Sequence, residues 1–197
     1  MQNKTLSRDY WSKLYHDNDT GWDIGFPSPA IKEYVNQLQN KSLSILIPGC
    51  GNAYEADYLL AQGFTDVTLI DIVPSLTAAL EQKFSKEIGS RIRIITGDFF
   101  SQEGTYQLIL EQTFLSALDP SLRTRYVNKM HSLLVKGGHL AGVLFSKVFD
   151  DGPPFGGTME EYDLMFKRKF DIKTLEPCFN SIERRNGSEV FINLIAK

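Results

Sequence analysis

Apolar residues recur along this chain in two alternating rhythms. Residues 43–48 (Leu-Ser-Ile-Leu-Ile-Pro) form a short apolar run that leads into Gly49-Cys50-Gly51. Glu55, Ala56, Leu59 and Leu60 follow at helical spacing. This order predicts a buried strand that feeds a helix through a glycine turn. Gly63 is expected to end that helix, and residues 67–72 predict a second strand. Pro74 opens another helix, with Leu76, Ala79, Leu80 and Phe84 on one face. Residues 91–96 alternate and predict a third strand; residues 106–111 predict a fourth. After Asp119-Pro120 a helix is expected to run to Lys136, with Leu122, Tyr126, Val127, Met130, Leu133 and Leu134 facing in. Gly137-Gly138 reads as its stop, and residues 139–145 as the fifth strand.

The two ends of the chain read differently. Residues 1–25 are polar and aromatic, with Tyr10, Trp11, Tyr15 and Trp22. A short helix ending near Asp17 is expected there. Residues 21–29 (Gly-Trp-Asp-Ile-Gly-Phe-Pro-Ser-Pro) hold two glycines and two prolines, which marks a fixed loop. Ser28 is expected to cap a helix over residues 29–39 that has Pro29 at its first position and Ile31, Tyr34, Val35 and Leu38 as its stripe. Thr158 with Glu161 predicts a capping box. Residues 170–176 and 189–196 read as two closing strands, and Asn186-Gly187 as a hairpin signal between them.

Five strands alternating with helices imply a parallel sheet with right-handed crossovers. The closing hairpin adds an antiparallel strand. The expected class is α/β, a Rossmann-like seven-stranded sheet with helices on both faces. Its order would be 3-2-1-4-5-7-6 with strand 7 antiparallel, the plan of class I methyltransferases. Ligands of such sheets bind beyond the carboxyl ends of the strands, at the switch point.

Composition narrows the picture. The 197 residues are 42% hydrophobic and 23% charged, as in an ordinary soluble globule of one domain, 1–197. The net charge of −3 offers no basic field for nucleic acid. No apolar run approaches the roughly 18 residues of a membrane span. Lys4 and Arg8 precede no apolar stretch, so no signal peptide is expected. Cys50 and Cys178 form no metal or redox spacing, so no metal and a reducing, cytoplasmic setting are expected. Nothing suggests an obligate protein partner.

The candidate chemistry starts at the glycine turn. Asp71 lies 20 residues beyond Gly51 at the end of the second strand, with Ile72 beside it. A carboxylate there can accept both hydroxyls of a ribose. Asp98, after the third strand, can accept from an adenine amino group, and Phe99 can pack on the ring. Glu111 and Gln112 end the fourth strand, where a cationic sulfonium and amino group would sit. These groups suit S-adenosylmethionine, which carries no phosphate. A nicotinamide dehydrogenase is the competitor, but its fingerprint wants a third small residue where Tyr54 stands. Residues 111–114 (Glu-Gln-Thr-Phe) lack the Asn-Pro-Pro-Tyr pattern that grips a planar nitrogen. None of His16, His131 and His139 is placed as an obvious base, so the catalytic residue is unknown from sequence. An anionic or soft acceptor needs no base.

These residues resemble the thiopurine S-methyltransferase family, which includes plant halide and thiol methyltransferases. The likeness runs through Trp11, Tyr15, residues 20–29, Pro48-Gly-Cys-Gly51, residues 97–100, Phe114 to Arg123, and residues 152–155. The resemblance implies that residues 1–28 form a lid on a 29–197 core, with Trp11, Tyr15 and Trp22 against the cofactor. It also implies acceptor contacts from Phe26, Arg123 and Phe145. Tyr15 stands where plant members carry tryptophan, and Phe145 where halide-type members carry tyrosine. The expected activity is methyl transfer from S-adenosylmethionine to a small-molecule acceptor, sulfur first. The alternatives are halide or thiocyanate methylation, a non-catalytic cofactor-binding protein, and an NAD-dependent oxidoreductase.

Overall fold

The computed structural model describes residues 6–197. Its elements, in chain order, begin with α1 (Arg8–His16) and α2 (Pro29–Asn36). The alternating part follows: β1 (Ser44–Pro48), α3 (Tyr54–Ala61), β2 (Asp66–Asp71), α4 (Pro74–Lys83), β3 (Ile92–Thr96) and β4 (Tyr106–Gln112). Then come α5 (Arg123–Ser132), β5 (Leu134–Phe145), α6 (Met159–Phe166), β6 (Phe170–Pro177) and β7 (Glu189–Ala196). The seven strands form one sheet in the order β3-β2-β1-β4-β5-β7-β6. The first five are parallel, and β7 runs antiparallel to both β5 and β6.

The sheet is covered on both faces, and strand alternation decides which side chain goes where. Ile45, Ile47, Val67, Leu69, Leu108 and Leu110 point to the side packed by α2, α3 and α4, against Val35, Leu59 and Leu80. Leu46, Ile70 and Ile109, the residues between them, face α5 and α6, against Tyr126, Met130 and Phe166. Burying a large side chain of this kind stabilises by about 1.5–3 kcal/mol. Both layers therefore pin the carboxyl ends of β1, β2 and β4, where the site lies.

Four expectations need correction. The helix after Asp119 stops at Ser132, and Leu134 already pairs with Tyr106 in the sheet. Leu133 and Leu134 continue the helical stripe, but ladder pairing overrides local propensity there. Gly137-Gly138 therefore sits inside β5 rather than ending a helix. The register jumps at this point, and Gly137 has φ +77°. Ala79 is exposed, and Thr77 takes its place on the buried face of α4. The Ser28 side chain does not cap α2; its backbone N–H instead donates to Glu55 Oε1 at 2.9 Å. Asn186-Gly187 makes no two-residue hairpin. Asn186 has φ −56° and ψ 130°, Gly187 has φ +74°, and Ser188 N–H donates to Arg185 C=O at 2.9 Å. That is a type II turn at the end of a longer β6–β7 connection. The Thr158–Glu161 capping box is present as expected.

Candidate active site

A cavity of about 860 Å³ opens beyond the carboxyl ends of β1 to β5. It falls within the size range of small-molecule and cofactor sites. Its floor is the turn after β1. Gly49 and Gly51 have φ +55° and +52°, and Ala53 closes the turn at φ +55°. A Cβ at Gly49 would overlap the Phe114 ring, and one at Gly51 would come within 3.2 Å of the Tyr15 hydroxyl. Both positions need glycine for backbone conformation and for close approach.

Asp71 ends β2 at the cavity wall. Its Oδ2 accepts from Gly51 N–H at 3.1 Å and its Oδ1 from Val73 N–H at 3.0 Å. Burial raises its pKa, opposed by these N–H donors. A carboxylate has about four lone-pair sites, so this fixed group keeps capacity for a vicinal diol. Ile72 and Asp98 line the cavity beside it. Asp98 Oδ1 caps the short turn Phe99–Ser101 through Phe100 N–H at 2.9 Å. Phe99 is at once cavity wall and core, edge-on to Phe100 and Phe114.

The roof is aromatic. Trp11, Tyr15 and Trp22 line the cavity, with Trp22 edge-on to Trp11 at 5.4 Å and to Tyr15 at 5.7 Å. Burial, then the nearby Asp71 charge, raises the Tyr15 pKa and keeps it neutral. Asp23 ties the roof to the glycine turn by accepting from Asn52 Nδ2 and from the Tyr54 hydroxyl.

Asp71 and Glu111 both end parallel strands, yet only Asp71 reaches the cavity. Glu111 is fully buried and does not line it. Its Oε2 accepts from the Tyr126 hydroxyl and its Oε1 from Leu115 N–H at 3.2 Å. Burial pushes its pKa up to about 7. At this strand end the cavity is lined by the next residues, Gln112, Thr113 and Phe114, and not by Glu111. Alternation at the strand end turns Glu111 inward and leaves Gln112 on the wall.

The other end of the cavity is bounded by Ile24, Phe26, Phe145, Phe149, Pro153 and Pro154. Arg123 does not join them. It opens α5 and is taken up by the Gly156 carbonyl and by Glu161 at 3.8 Å. Arg125, two residues on, does line the cavity, with its guanidinium 4.2 Å above the Phe100 ring.

Several site residues were not anticipated. Glu55 is buried in the first turn of α3 and lines the cavity. A phosphate at this helix N-terminus would face that carboxylate, against the usual preference of phosphate sites. Arg185 is buried beneath the roof and pairs with Glu189 at 3.1 Å. It donates to Trp22 C=O at 2.6 Å and lies 5.1 Å over the Phe145 ring. Arg184 donates to Asp23 C=O at 2.8 Å. No local pattern in the sequence placed Arg184 or Arg185 at the site. Phe114 and Ser116 lay within the stretch that carries the family resemblance, which gave neither a site role. Among the described residues no group of His, Cys, Asp and Glu is arranged to hold a metal, and no helix is long and apolar enough to cross a membrane.

The same fold recurs in solved methyltransferases. A Burkholderia thailandensis 1,6-didemethyltoxoflavin-N1-methyltransferase with bound S-adenosylhomocysteine superposes with a TM-score of 0.76 at 19% identity, over 96% of this chain and 87% of that one. The Synechocystis PCC 6803 magnesium protoporphyrin IX methyltransferase gives 0.73 at 15% identity, over 96% and 98%. The diol-ready Asp71, the glycine turn and the acid where a phosphate would sit fit S-adenosylmethionine and not a dinucleotide. The fold is that of the class I S-adenosylmethionine-dependent methyltransferases.

Residues 6–191 match the model of the thiopurine S-methyltransferase family, and the chain belongs to it. It is 30% identical to a probable thiol methyltransferase 2 of Arabidopsis thaliana over 78% of this chain and 69% of that protein. It is 28% identical to the thiopurine S-methyltransferase of Acinetobacter baylyi over 93% and 94%. It is 26% identical to thiocyanate methyltransferase 1 of Brassica oleracea over 94% and 84%. The protein is thus an S-adenosylmethionine-dependent S-methyltransferase, and the oxidoreductase reading is set aside.

Proposed function

We propose that this enzyme methylates a small, anionic sulfur nucleophile, and that the cavity divides into a cofactor half and an acceptor half. The observation that carries this reading is the acceptor end, where aromatic and proline walls surround no neutral-pH base. None of His16, His131 and His139 lines the cavity. Of the cations at this end, Arg185 is buried and paired with Glu189, while Lys147 and Arg184 are exposed at its mouth. Lys147 lies over the Phe149 ring at 5.6 Å, and Arg184 binds only a main-chain carbonyl among the described residues. Such a site favours a nucleophile that arrives already deprotonated. Thiolates meet that condition at neutral pH far better than alcohols.

When bound, S-adenosylmethionine supplies a methyl group on a cationic sulfur, a leaving group that needs no acid. The protein's part is placement. Asp71 holds the ribose hydroxyls from the end of β2, and Gly49 and Gly51 let the main chain come close. Asp98 and Phe99 take the adenine, with Ile72 beside them. Trp11, Tyr15 and Trp22 close over the sulfonium, exclude water and offer it their ring faces. Phe26, Phe145 and Phe149 bound the acceptor and hold its sulfur in line with the methyl carbon. Held this way, the cofactor would supply its methyl group to the acceptor's lone pair and would leave as a neutral thioether. The two opposite charges cancel, so a dry aromatic pocket favours the reaction.

In this reading the chain is one methyltransferase domain, with residues 1–28 as a lid on a 29–197 core. Residues 1–5 of that lid lie outside the described residues. The enzyme works in a reducing, cytoplasmic compartment, in keeping with the free thiols of Cys50 and Cys178. It needs no metal and no macromolecular partner.

Calorimetry with S-adenosylhomocysteine tests the cofactor half. Asp71→Ala should weaken binding about 100-fold, as expected for two charge-assisted hydrogen bonds; a loss below about threefold would remove Asp71 from the site. A methyl-transfer panel tests the acceptor half, with thiopurines, aliphatic thiols, bisulfide, thiocyanate and iodide set against phenols and amines. Turnover confined to oxygen or nitrogen acceptors would overturn the sulfur reading.

A further inference from the structure

Residues 23–28 join the aromatic roof to α2, and both ends of this loop are tied to one short stretch on the cofactor side. At its start, Asp23 Oδ2 accepts from Asn52 Nδ2 and, at 3.3 Å, from the Tyr54 hydroxyl. At its end, Ser28 N–H donates to Glu55 Oε1 at 2.9 Å. Asn52, Tyr54 and Glu55 all fall in the segment that leaves the glycine turn at Gly51 and opens α3. Between the two ties, Ile24 and Phe26 line the cavity.

The tie at Ser28 has no substitute. Pro27 and Pro29 have no N–H, so Ser28 carries the sole backbone donor of that three-residue run. Ser28 is 6% exposed, and a buried N–H needs a partner in the protein. Glu55 supplies it. That carboxylate is itself 7% exposed and has no ion-pair partner among the described residues. Burial raises its pKa, opposed first by the Ser28 N–H. An acid buried without a cation is costly to keep. What this one secures is the point where the roof loop becomes a core helix.

We propose that Glu55 is a positioning residue for the acceptor: through Ser28 N–H it sets Phe26 against the cavity from the turn of helix that follows the cofactor's glycine turn. This goes beyond the division of the cavity into two halves but rests on it, and on a thiolate as the acceptor. Glu55 acts through the loop and not on the reacting atoms. Pro27 stands between Ser28 and Phe26, and its fixed φ leaves little slack to absorb a shift at Ser28. A small misplacement of the acceptor wall lowers the rate of an in-line transfer steeply. The cofactor side keeps its own fastenings, because Asp23 stays tied to Asn52 and Tyr54, and Arg185 still holds Trp22 C=O at 2.6 Å. Loss of the Ser28–Glu55 bond should therefore fall on methyl transfer more than on cofactor affinity.

The test uses the full-length enzyme with thiophenol and S-adenosylmethionine. Glu55→Ala should lower kcat/KM for thiophenol about 10-fold, the effect of one hydrogen bond, while S-adenosylhomocysteine affinity changes less than about threefold. Glu55→Gln keeps an oxygen for Ser28 N–H and should return kcat/KM to within about twofold of wild type. Ser28→Pro removes the same bond from the other side. The native φ of −52° suits proline, and no buried donor is left unpaired, so its kinetics can be read apart from the stability that Glu55→Ala loses. The double variant should be no slower than the slower single one, because both changes delete one interaction. Glu55→Gln as slow as Glu55→Ala, equal losses in kcat/KM and cofactor affinity, or additive effects of the two changes would overturn the assignment and leave sulfur methylation standing. Wild-type enzyme that binds S-adenosylhomocysteine but methylates no thiol would overturn the sulfur reading instead. Glu55 is then judged by hydrogen exchange at the Ser28 amide: S-adenosylhomocysteine should slow it in wild type and Glu55→Gln but not in Glu55→Ala, and exchange in wild type that ignores the ligand would overturn the link from cofactor turn to acceptor wall.

Discussion

The proposed cofactor half of the cavity and the proposed acceptor half are assembled in different ways. Gly49, Gly51, Asp71 and Asp98 stand just past the ends of β1, β2 and β3, three strands adjacent in the sheet. The acceptor half gathers Phe26, Ser116, Phe145, Phe149 and Arg185 from segments far apart in the chain. In the first half each polar group is set by a local rule, a glycine turn or a strand end with backbone N–H donors. In the second it is set by contacts between loops. Asp71 and Glu111 sharpen the difference. Both are buried carboxylates at parallel strand ends held by backbone N–H groups, but Asp71 faces the cavity, and Glu111 spends its oxygens on Tyr126 and Leu115. A strand end therefore proposes a ligand, and what packs behind it decides.

The largest expected effect is on the residue that joins the halves. Arg185 reaches Trp22 C=O in the roof, stacks on Phe145 in the acceptor wall and pairs with buried Glu189. Arg185→Met would strand the Glu189 charge, and breaking a buried pair from one side costs about 3–5 kcal/mol. Denaturant unfolding should show that loss. Affinity for S-adenosylhomocysteine should fall as well, although Arg185 lies on the acceptor side. A variant that unfolds as the wild type does would mean the two halves are not mechanically joined here.

How much of this was legible follows the same division. The strand order, the glycine turn with Asp71, and the Thr158–Glu161 cap were readable because period, turn chemistry and spacing are local. The end of α5 was not, since Leu134 continues a helical stripe and only its pairing with Tyr106 makes it strand. Arg123 was expected on the acceptor, yet it is claimed by Gly156 and Glu161, residues whose approach depends on the loop before α6. Arg185 carried no sequence signal for burial, which comes from its pairing with Glu189 and its bond to Trp22 in the roof. Ser116 lay within the stretch that carries the family resemblance, but a hydroxyl left unpaired among the described residues is defined by what fails to meet it in three dimensions, and no local pattern marks it.

Glu111 supplies the next effect. Its carboxyl titrates at an ordinary 4.5 when unfolded and at about 7 when folded, because burial penalises the charge. Between these values the folded state keeps a proton that the unfolded state has released. Stability from this group is therefore full below pH 4.5, declines as pH rises, and levels off above pH 7. The span is worth about 3 kcal/mol. Glu111→Gln should lack this decline, so the difference in unfolding free energy between variant and wild type should change with pH across that window. Because Glu111 does not line the cavity, S-adenosylhomocysteine should bind the variant within about twofold of wild type, well inside a single hydrogen bond's worth. A loss comparable to that of Asp71→Ala would erase the contrast between the two strand-end carboxylates.

Arg184 gives the smallest effect and the most selective one. It is exposed, and its bond to Asp23 C=O at 2.8 Å fastens the roof from outside. A single hydrogen bond from a charged group at a solvated site is worth about 1 kcal/mol at most after screening. Arg184→Ala should therefore weaken S-adenosylhomocysteine about threefold to fivefold with no measurable change in unfolding. If Arg184 also draws an anionic acceptor to the mouth, KM for a thiolate should rise with salt in the wild type and less so in the variant, since exposed charges are screened within about 8–10 Å. A KM that rises equally with salt in both proteins would leave Arg184 a fastener of the roof alone and assign the attraction to Lys147, which lines the same mouth.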